Sequence, residues 1–516
     1  MKFVHLCKKL WALTQVLALT VILFIFFLLI AVPVTGALIF RTVLAKILLY
    51  WRKDLSKILT TCAHVFAVDD VESRPNVNVV ITLTFKGTIT VQSLLELFQE
   101  RIISLKNPEG SLHYPELQQF YHQWMGFLFW KWDPNFDLQN HLRLYDYPDL
   151  KIVPQENISH GDLARINANL MRKSWAKGRS PWEFLVIPNF VEEEEDLSQI
   201  NDNKNPGTAL IFRFHHGIGD GFGFFNLLWT YFAGGEATLE TIEDDYRNLK
   251  SHFTPKHSLC YYALSPVIGH FELARQLLEC NDANDWKIPD SQLIQSGMSA
   301  MTGRIPVEDI KEIRRTYQIT FSGAILGLIS GAMRQSMIDL EFDVPERMHG
   351  LLPIPSRWKN RGKLRNYISY IYPELPVGTG DFKTRFLLSD SNLRSLKKST
   401  LPVMNKLLHQ TSGAMPACIV KGFQKNVFAT ALISIFPGPK KTAYLLGNPM
   451  TDITFATSCH GNSGICISVL SYDSSIRVLV NVNEAVPSRM TNLAEIIVRN
   501  IEKELHSFHK NEDFVV

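Results

Sequence analysis

The sequence predicts a mixed α+β (α/β) chain of two lobes, carried behind an N-terminal transmembrane helix. Three observations lead there. Leu10 to Phe40 is almost wholly apolar, with Gln15 the clearest polar exception, and a spanning helix needs about 20 apolar residues. Behind that run, short β-prone stretches alternate with amphipathic helical ones, the pattern of sheets covered by helices. A polar, acidic link from Gly234 to Pro255 then separates an earlier set of elements from a later one. The expected divisions are residues 1–60 for the anchor and a juxtamembrane helix, 61–255 for the first lobe, 256–303 for a crossover and 304–516 for the second lobe.

The apolar run is too long for the apolar region of a signal peptide, normally about 7–15 residues. It has no polar face, as an interfacial helix would. Pro33 and Gly36 are expected to kink or end it, and Thr42 to Tyr50 reads as a helix lying on the lipid surface. Lys2, Lys8 and Lys9 precede the run, whereas Arg41, Lys46, Arg52, Lys53 and Lys57 follow it. That excess places the C-terminal side in the cytosol. Asn157-Ile158-Ser159 matches a glycosylation acceptor, which stays unmodified on that side of the membrane.

Composition narrows the function classes. The 516 residues suggest two or three domains or one large two-lobed enzyme, and 46% hydrophobic and 11% aromatic residues allow a large core. A net charge of +3 gives no support to nucleic-acid binding. The seven cysteines are scattered and form no C-x-x-C pair, which argues against a disulfide framework and a structural zinc site.

Arg213-Phe214-His215-His216-Gly217-Ile218-Gly219-Asp220-Gly221 is the most informative stretch. Ala209 to Phe214 reads as a short buried strand. The glycines let the backbone turn sharply, and Phe224 to Phe232 reads as a buried helix. A side chain on a strand-to-helix corner is held by packing on both sides, as a catalytic base requires. Before the corner, Asn76–Phe85 reads as a strand, Val91–Ile103 as an amphipathic helix and Asp162–Lys177 as a helix. About Phe184–Asn189 and Thr208–Phe214 are expected to pair antiparallel around an acidic hairpin loop, Val191 to Asp196. Beyond the link, Ser265–Leu278 reads as a crossover or a membrane-facing helix, with the crossover preferred because its polar face has few basic residues. Val307–Tyr317 and Thr320–Arg334 read as helices. Gly464–Ser471 with Ile476–Val482 reads as a hairpin, and Thr491–His506 as a closing helix.

The His-His-x-x-x-Asp-Gly pattern at His215, His216, Asp220 and Gly221 resembles the signature of the CoA-dependent acyltransferase superfamily. Within it, the chain is most similar to the bifunctional wax ester synthase/diacylglycerol acyltransferase family. Weaker matches fall in the family's order. They are Phe136-Asp137-Leu138 with His141, Pro181-Trp182-Glu183, Leu352-Pro353-Ile354-Pro355-Ser356-Arg357, Ser434-Ile435-Phe436-Pro437-Gly438-Pro439 and Ser471-Tyr472. Three positions depart from the pattern. Ser322 and Gly323 stand where the family opens a helix with Asn-Asp, and Ile435 replaces an Asn.

The resemblance implies a two-lobed CoA-dependent acyltransferase-like fold and a specific chemistry. An acyl group would pass from acyl-CoA, a co-substrate, to a lipid alcohol, with no cofactor and no metal. The acceptor would be a long-chain alcohol giving wax ester, the narrow preference, or diacylglycerol giving triacylglycerol. His216 is the expected general base, since an imidazole's ordinary pKa of about 6.5 leaves it mostly neutral at pH 7. His215 is left between contacting the acceptor, holding the loop and simple packing. Asp220 is expected to shape the turn, paired with an arginine in the wider superfamily, and Gly221 completes the motif. Ser322 is either a substrate or oxyanion contact or a helix N-cap. Arg357 is either a CoA-phosphate contact or a core ion-pair partner. The expected setting is a membrane of the endoplasmic reticulum with the catalytic region facing the cytosol, and membrane lipid as a partner. The alternative is a catalytically inactive lipid-binding or scaffold protein that kept the fold, motivated by the departures at Ser322, Gly323 and Ile435.

Overall fold

The structure is a computed structural model describing residues 2–148, 157–192, 206–229, 259–288, 297–355, 363–423, 428–458, 463–488 and 492–512. The acidic loop beyond Glu192, the link 234–255 and Arg357 lie outside the described residues.

Helix α1 (Lys2–Trp51) runs unbroken through Pro33 and Gly36 and absorbs the separate helix expected at 42–50. Its segment Lys9–Leu48 is long and apolar enough to cross a membrane, and little of it is covered by protein. The covered positions are spaced alternately by four and three residues: Val16, Thr20, Leu23, Phe27, Ile30, Val34, Ala37, Arg41, Leu44 and Leu48. That spacing draws one stripe down one side of a helix, so α1 lies against the rest of the molecule along its length. At the end of the stripe Arg41 is buried. Its guanidinium donates to the Leu59 carbonyl at 2.6 Å and sits over the Phe127 ring.

The first lobe is built on a six-stranded sheet ordered β14-β15-β2-β7-β6-β5. Its centre is β2 (Asn78–Phe85), flanked by β7 (Gly207–His215), with β6 (Trp182–Phe190) and β5 (Leu142–Leu144) beyond. β6 and β7 pair antiparallel, as the sequence predicts. On the other side of β2 lie β15 (Asn448–Thr457) and β14 (Tyr444–Leu445), contributed by the C-terminal half of the chain. Every residue of β2 is buried, because hydrophobic clusters cover both faces of the sheet. A small sheet of β1 (Leu55–Ile58), β3 (Gln119–Trp124) and β4 (Phe127–Trp132) ties α1 to this lobe.

Helix α4 (His160–Leu170) is shorter than the expected Asp162–Lys177. Its trailing carbonyls are captured by side chains instead of by another helical turn. Asn78 Nδ2 donates to the Met171 carbonyl at 2.9 Å, and the Arg213 guanidinium donates to the Lys173 carbonyl. The helix expected over Val91–Ile103 is α3 (Val91–Phe98) closed by a wider π turn, Gln99–Ile103.

The second lobe carries a sheet that runs from β11 (Ile368–Ile371) through β10 (Met348–Pro355), β13 (Ala431–Pro437), β16 (Ile465–Tyr472) and β17 (Ser475–Asn483) to β8 (Gly297–Met301), in which β10, β13 and β16 run parallel. β16 and β17 form the expected hairpin. Three of its helices matter below: α8 (Phe321–Asp339), α9 (Phe382–Lys398) and α10 (Leu401–Ala414). In sequence, α6 (Leu259–Glu279) connects the lobes. It packs along α1, with His270 edge-on to Phe24 and Phe27 at ring-centroid distances of 5.5 and 4.9 Å.

Candidate active site

The His-His stretch is the corner the sequence predicts. β7 ends at His215, and helix α5 (Gly221–Leu227) opens six residues later behind Asp220 as its N-cap. Phe214 from the strand and Phe224 from the helix stack with ring centroids 3.6 Å apart, so packing fixes the corner on both sides. Gly217 and Gly221 are there because nothing larger fits. A Cβ on Gly217 would meet the Tyr121 hydroxyl at 2.6 Å, and one on Gly221 would meet Phe436 at 3.0 Å.

His215 is fully buried and held at both ring nitrogens. Gly217 N–H donates to Nδ1 at 3.2 Å, which makes Nδ1 the acceptor. The Tyr121 hydroxyl lies 3.2 Å from the same nitrogen, and Nε2 faces Asp69 Oδ2 at 3.3 Å. Asp69 also receives the backbone N–H groups of Asn76 and Val77, and the Val77 carbonyl accepts the N–H of His216. His215 therefore links the entry to β2 with the turn that carries its neighbour. Its partners are those of a residue that holds the loop.

His216 is half-buried, and its ring stacks on Phe66 at 4.2 Å with an interplanar angle of 23°. Its Nδ1 lies 2.9 Å from Asn366 Oδ1, and Asn366 Nδ2 donates back to the His216 carbonyl, also at 2.9 Å. The second bond fixes which end of the carboxamide is oxygen. The first then places the proton on His216 Nδ1 and leaves Nε2 of the neutral ring as the basic nitrogen.

Asp220 caps α5 by accepting from Gly223 N–H at 3.0 Å. With its other oxygen it accepts from Tyr367 N–H at 2.7 Å. The arginine partner implied by the superfamily is replaced by backbone donors, and Arg365 offers Asp220 only its carbonyl, which accepts the Asp220 N–H at 3.1 Å. Burial pushes the Asp220 carboxyl up to about 6, against the pull of those N–H groups. Asp220 thus ties the corner to residues 365–367 of the second lobe, one place on each side of Asn366.

His216, Asp220 and Gly221 line an apolar cavity between the lobes. Its walls include Phe66, Val79 and Phe225 on one side and Leu351, Ile368 and Phe436 on the other. Two lining hydroxyls are engaged: Thr457 with Cys466 Sγ at 2.9 Å and Ser458 with the Asn78 carbonyl at 2.9 Å. Ser434, on β13, also lines the cavity and is 4% exposed, and no side-chain hydrogen bond occupies its hydroxyl among the described residues.

Residues 364–504 match the family model described as the WS/DGAT C-terminal domain. That span holds Asn366 and the cavity-lining Ser434. The chain resembles the wax ester synthase/diacylglycerol acyltransferase family.

Relatives of this family agree in both sequence and fold. The chain is 20% identical over 368 residues to the "Probable diacylglycerol O-acyltransferase" of Mycobacterium tuberculosis strain H37Rv, covering 66% of this chain and 74% of that one. Its fold is similar to the wax ester synthase/diacylglycerol acyltransferase of Marinobacter aquaeolei VT8, with TM-score 0.54 at 14% identity over 87% of this chain and all of that one. It is also similar to the trichothecene 15-O-acetyltransferase of Fusarium sporotrichioides, with TM-score 0.54 at 12% identity over 87% and 95% of the two chains. The two-lobed fold expected from the motif is thereby established, and the chain is an acyl-CoA-dependent O-acyltransferase.

Other residues singled out from the sequence have structural places. Trp182 is buried, donates from Nε1 to the Leu117 carbonyl at 2.8 Å and stacks on His141. Glu183 finds the basic partners the sequence left unnamed, Arg213 at 2.7 Å and Arg143 at 3.0 Å, and they hold its carboxyl below the usual range despite burial. Ser322 needs correction. The N-cap of α8 is Thr320, whose hydroxyl accepts from Gly323 N–H, and Ser322 is absent from the cavity lining. Its helix packs instead on α9 and the C-terminal helix Leu493–Glu512, with Gly323 against Asp390. Asn366 and Phe66 carried no motif signal. Ser434 stood inside a matched element without an assigned role.

Proposed function

We propose that this protein is a membrane-anchored enzyme that transfers a long-chain acyl group from acyl-CoA to the hydroxyl of a lipid alcohol, either a fatty alcohol or diacylglycerol. The observation that carries the reading is the His216–Asn366 pair at the wall of an apolar cavity between the lobes. An amide that accepts from Nδ1 keeps the basic lone pair on Nε2, and an apolar cavity suits two aliphatic reactants.

In the proposed reaction, Nε2 of His216 takes the acceptor's hydroxyl proton as its oxygen attacks the thioester carbonyl. The oxyanion that forms on the carbonyl oxygen receives a hydrogen bond from Ser434. Collapse breaks the C–S bond. The imidazolium returns its proton to the departing sulfur, leaving ester and free CoA thiol. His215, Asp69 and Tyr121 hold the turn, and Asp220 locks it to the second lobe.

The CoA phosphates would be met by the stretch Arg357 to Arg365, which has five basic residues in nine and joins cavity-lining Pro355 to Asn366. Arg357 keeps its expected role there as part of this proposal. The apolar run of α1 up to Phe40, with Arg41 and Lys46 in the last turns of the same helix, would hold the enzyme in the membrane of the endoplasmic reticulum with its lobes in the cytosol.

The test is a labelled long-chain acyl-CoA incubated with membranes carrying the protein and with fatty alcohol, diacylglycerol, sterol or amine. Labelled wax ester or triacylglycerol is the expected product. Label appearing only in sterol ester or amide would replace the acceptor, and no transfer to any of them would refute the reading.

A further inference from the structure

We propose that α6 is a second intramembrane element, and that α1, α6 and α10 together form the face through which the lipid acceptor leaves the bilayer for the His216 cavity. This deepens the acyl-transfer reading and rests on it only for the identity of the acceptor.

The argument starts from α1. A bilayer core about 30 Å thick is crossed by about 20 helical residues, and α1 exposes large apolar side chains from Leu10 through Phe40. Whatever packs against the middle of that stretch sits at membrane depth. α6 does so, since its His270 lies against Phe24 and Phe27. The sequence of α6 matches such a place. Leu259 to Phe271 contains no charged residue, whereas Glu272, Arg275 and Glu279 follow in its second half. Ile268, two residues before His270, is 42% exposed in the apolar half. In the charged half Glu272 accepts from the backbone and hydroxyl of Thr400 and Gln276 pairs with Asn405, whereas Arg275 and Glu279 form an exposed ion pair at 2.8 Å that marks the end of the apolar stretch.

α10 connects this face to the catalytic wall. It is in tight contact with α6, since a Cβ on Gly269 would meet Met404 Sδ at 2.6 Å. One turn further along α10, His409 lies 5.3 Å from the ring of Phe66 and 5.8 Å from that of Tyr370. Both of those residues line the cavity, and Phe66 is the ring stacked on His216. Leu407, between these contacts in sequence, is 45% exposed. Between this face and the base lie only α10 and the short helix Thr61–Ala67 that carries Phe66, and an apolar acceptor moving along them stays out of water.

Two measurements on the full chain in phosphatidylcholine vesicles test this. Ile268→Cys and Ile338→Cys have similar exposure at 42% and 44%, so exposure alone predicts equal behaviour. Each is labelled with an environment-sensitive fluorophore in a chain whose exposed Cys7 and Cys418 are replaced by serine. The probe at 268 should be quenched by acyl-brominated lipid and spared by aqueous iodide, and the probe at 338 should do the reverse. Iodide quenching at both positions overturns the membrane placement, whether or not the chain transfers acyl groups. Ile268→Asp should then raise KM for a vesicle-borne acceptor about tenfold or more, because a charge in lipid is costly. KM for acyl-CoA and turnover of a water-soluble short-chain alcohol should stay unchanged. Equal effects on both acceptors, or none on either, overturn the delivery role.

Discussion

Asn366 and His216 exchange two hydrogen bonds across 150 residues of sequence. The carboxamide oxygen sits on the ring Nδ1 and the amide nitrogen on the histidine's own carbonyl, each at 2.9 Å. One side chain therefore fixes both the position of the base's backbone and the tautomer of its ring. Asp220 reinforces the arrangement by binding the N–H of Tyr367, immediately after Asn366.

Asn366→Ala should therefore lower kcat by about 10–100-fold, the usual effect of losing an orienting partner of a functional histidine, with KM for acyl-CoA little changed. Asn366→Asp keeps an acceptor at Nδ1 and adds negative charge beside the ring, which favours the imidazolium. The acid limb of its pH–rate profile should move to higher pH than in the parent enzyme. A pH–kcat series on the three proteins reads both effects. An unmoved acid limb in the aspartate variant would detach Asn366 from the base.

Ser434 is the proposed oxyanion donor, and removing one such donor costs about 10²–10³ in kcat. Ser434→Ala should lose that much while acyl-CoA still binds, because the hydroxyl acts on charge that exists only in the transition state. Initial rates and equilibrium binding separate the two. A rise in KM alone would make Ser434 a ground-state contact.

Two buried imidazoles set the acid limit of stability. Burial pulls His64 down to about 4, with Arg41 adding to it, and pulls His160 down to about 4, with Arg477 adding to it. Both values lie below the ordinary value of 6.5, so the unfolded chain takes up these protons first. The stabilisation is complete above pH 6.5 and is lost as pH falls through 6.5 toward 4, on the order of 2–3 kcal/mol for each group. Thermal unfolding in detergent should show Tm dropping over that window. His64→Gln keeps a donor for the Gly413 carbonyl, which lies 2.9 Å from Nδ1. His160→Gln keeps an acceptor for Arg477. Both changes together should flatten the slope, and an undiminished slope would place the acid sensitivity elsewhere.

Asn157 is exposed and opens an Asn-Ile-Ser acceptor sequence, so its modification reports topology directly. With the lobes in the cytosol, an endoglycosidase should leave the protein's gel mobility unchanged. A shift abolished by Asn157→Gln would put the lobes in the lumen.

What the sequence made legible was local. The corner at His215–Gly221, the β6–β7 pair and the β16–β17 hairpin each have their signals within one continuous stretch of sequence. The parts that stayed hidden depend on distant meetings. β15 joins the first lobe's sheet from the C-terminal half, and Asn366 reaches His216 from the second lobe. Neither has a local signature. The contact stripe on α1 was invisible for a different reason. In a helix apolar all round, the side facing protein and the side facing lipid use the same residues, so no periodicity marks either. Ser322 misled because a Ser near a helix start reads as a cap, and Thr320, two residues earlier, has the same chemistry and takes the position.

Ester formation by His216→Ala tests the central claim most directly. Membranes carrying the variant, with acyl-CoA binding shown to be intact, should form ester about 10²–10⁴-fold more slowly than the parent enzyme. Equal rates from the two proteins would contradict the assignment of His216 as the base.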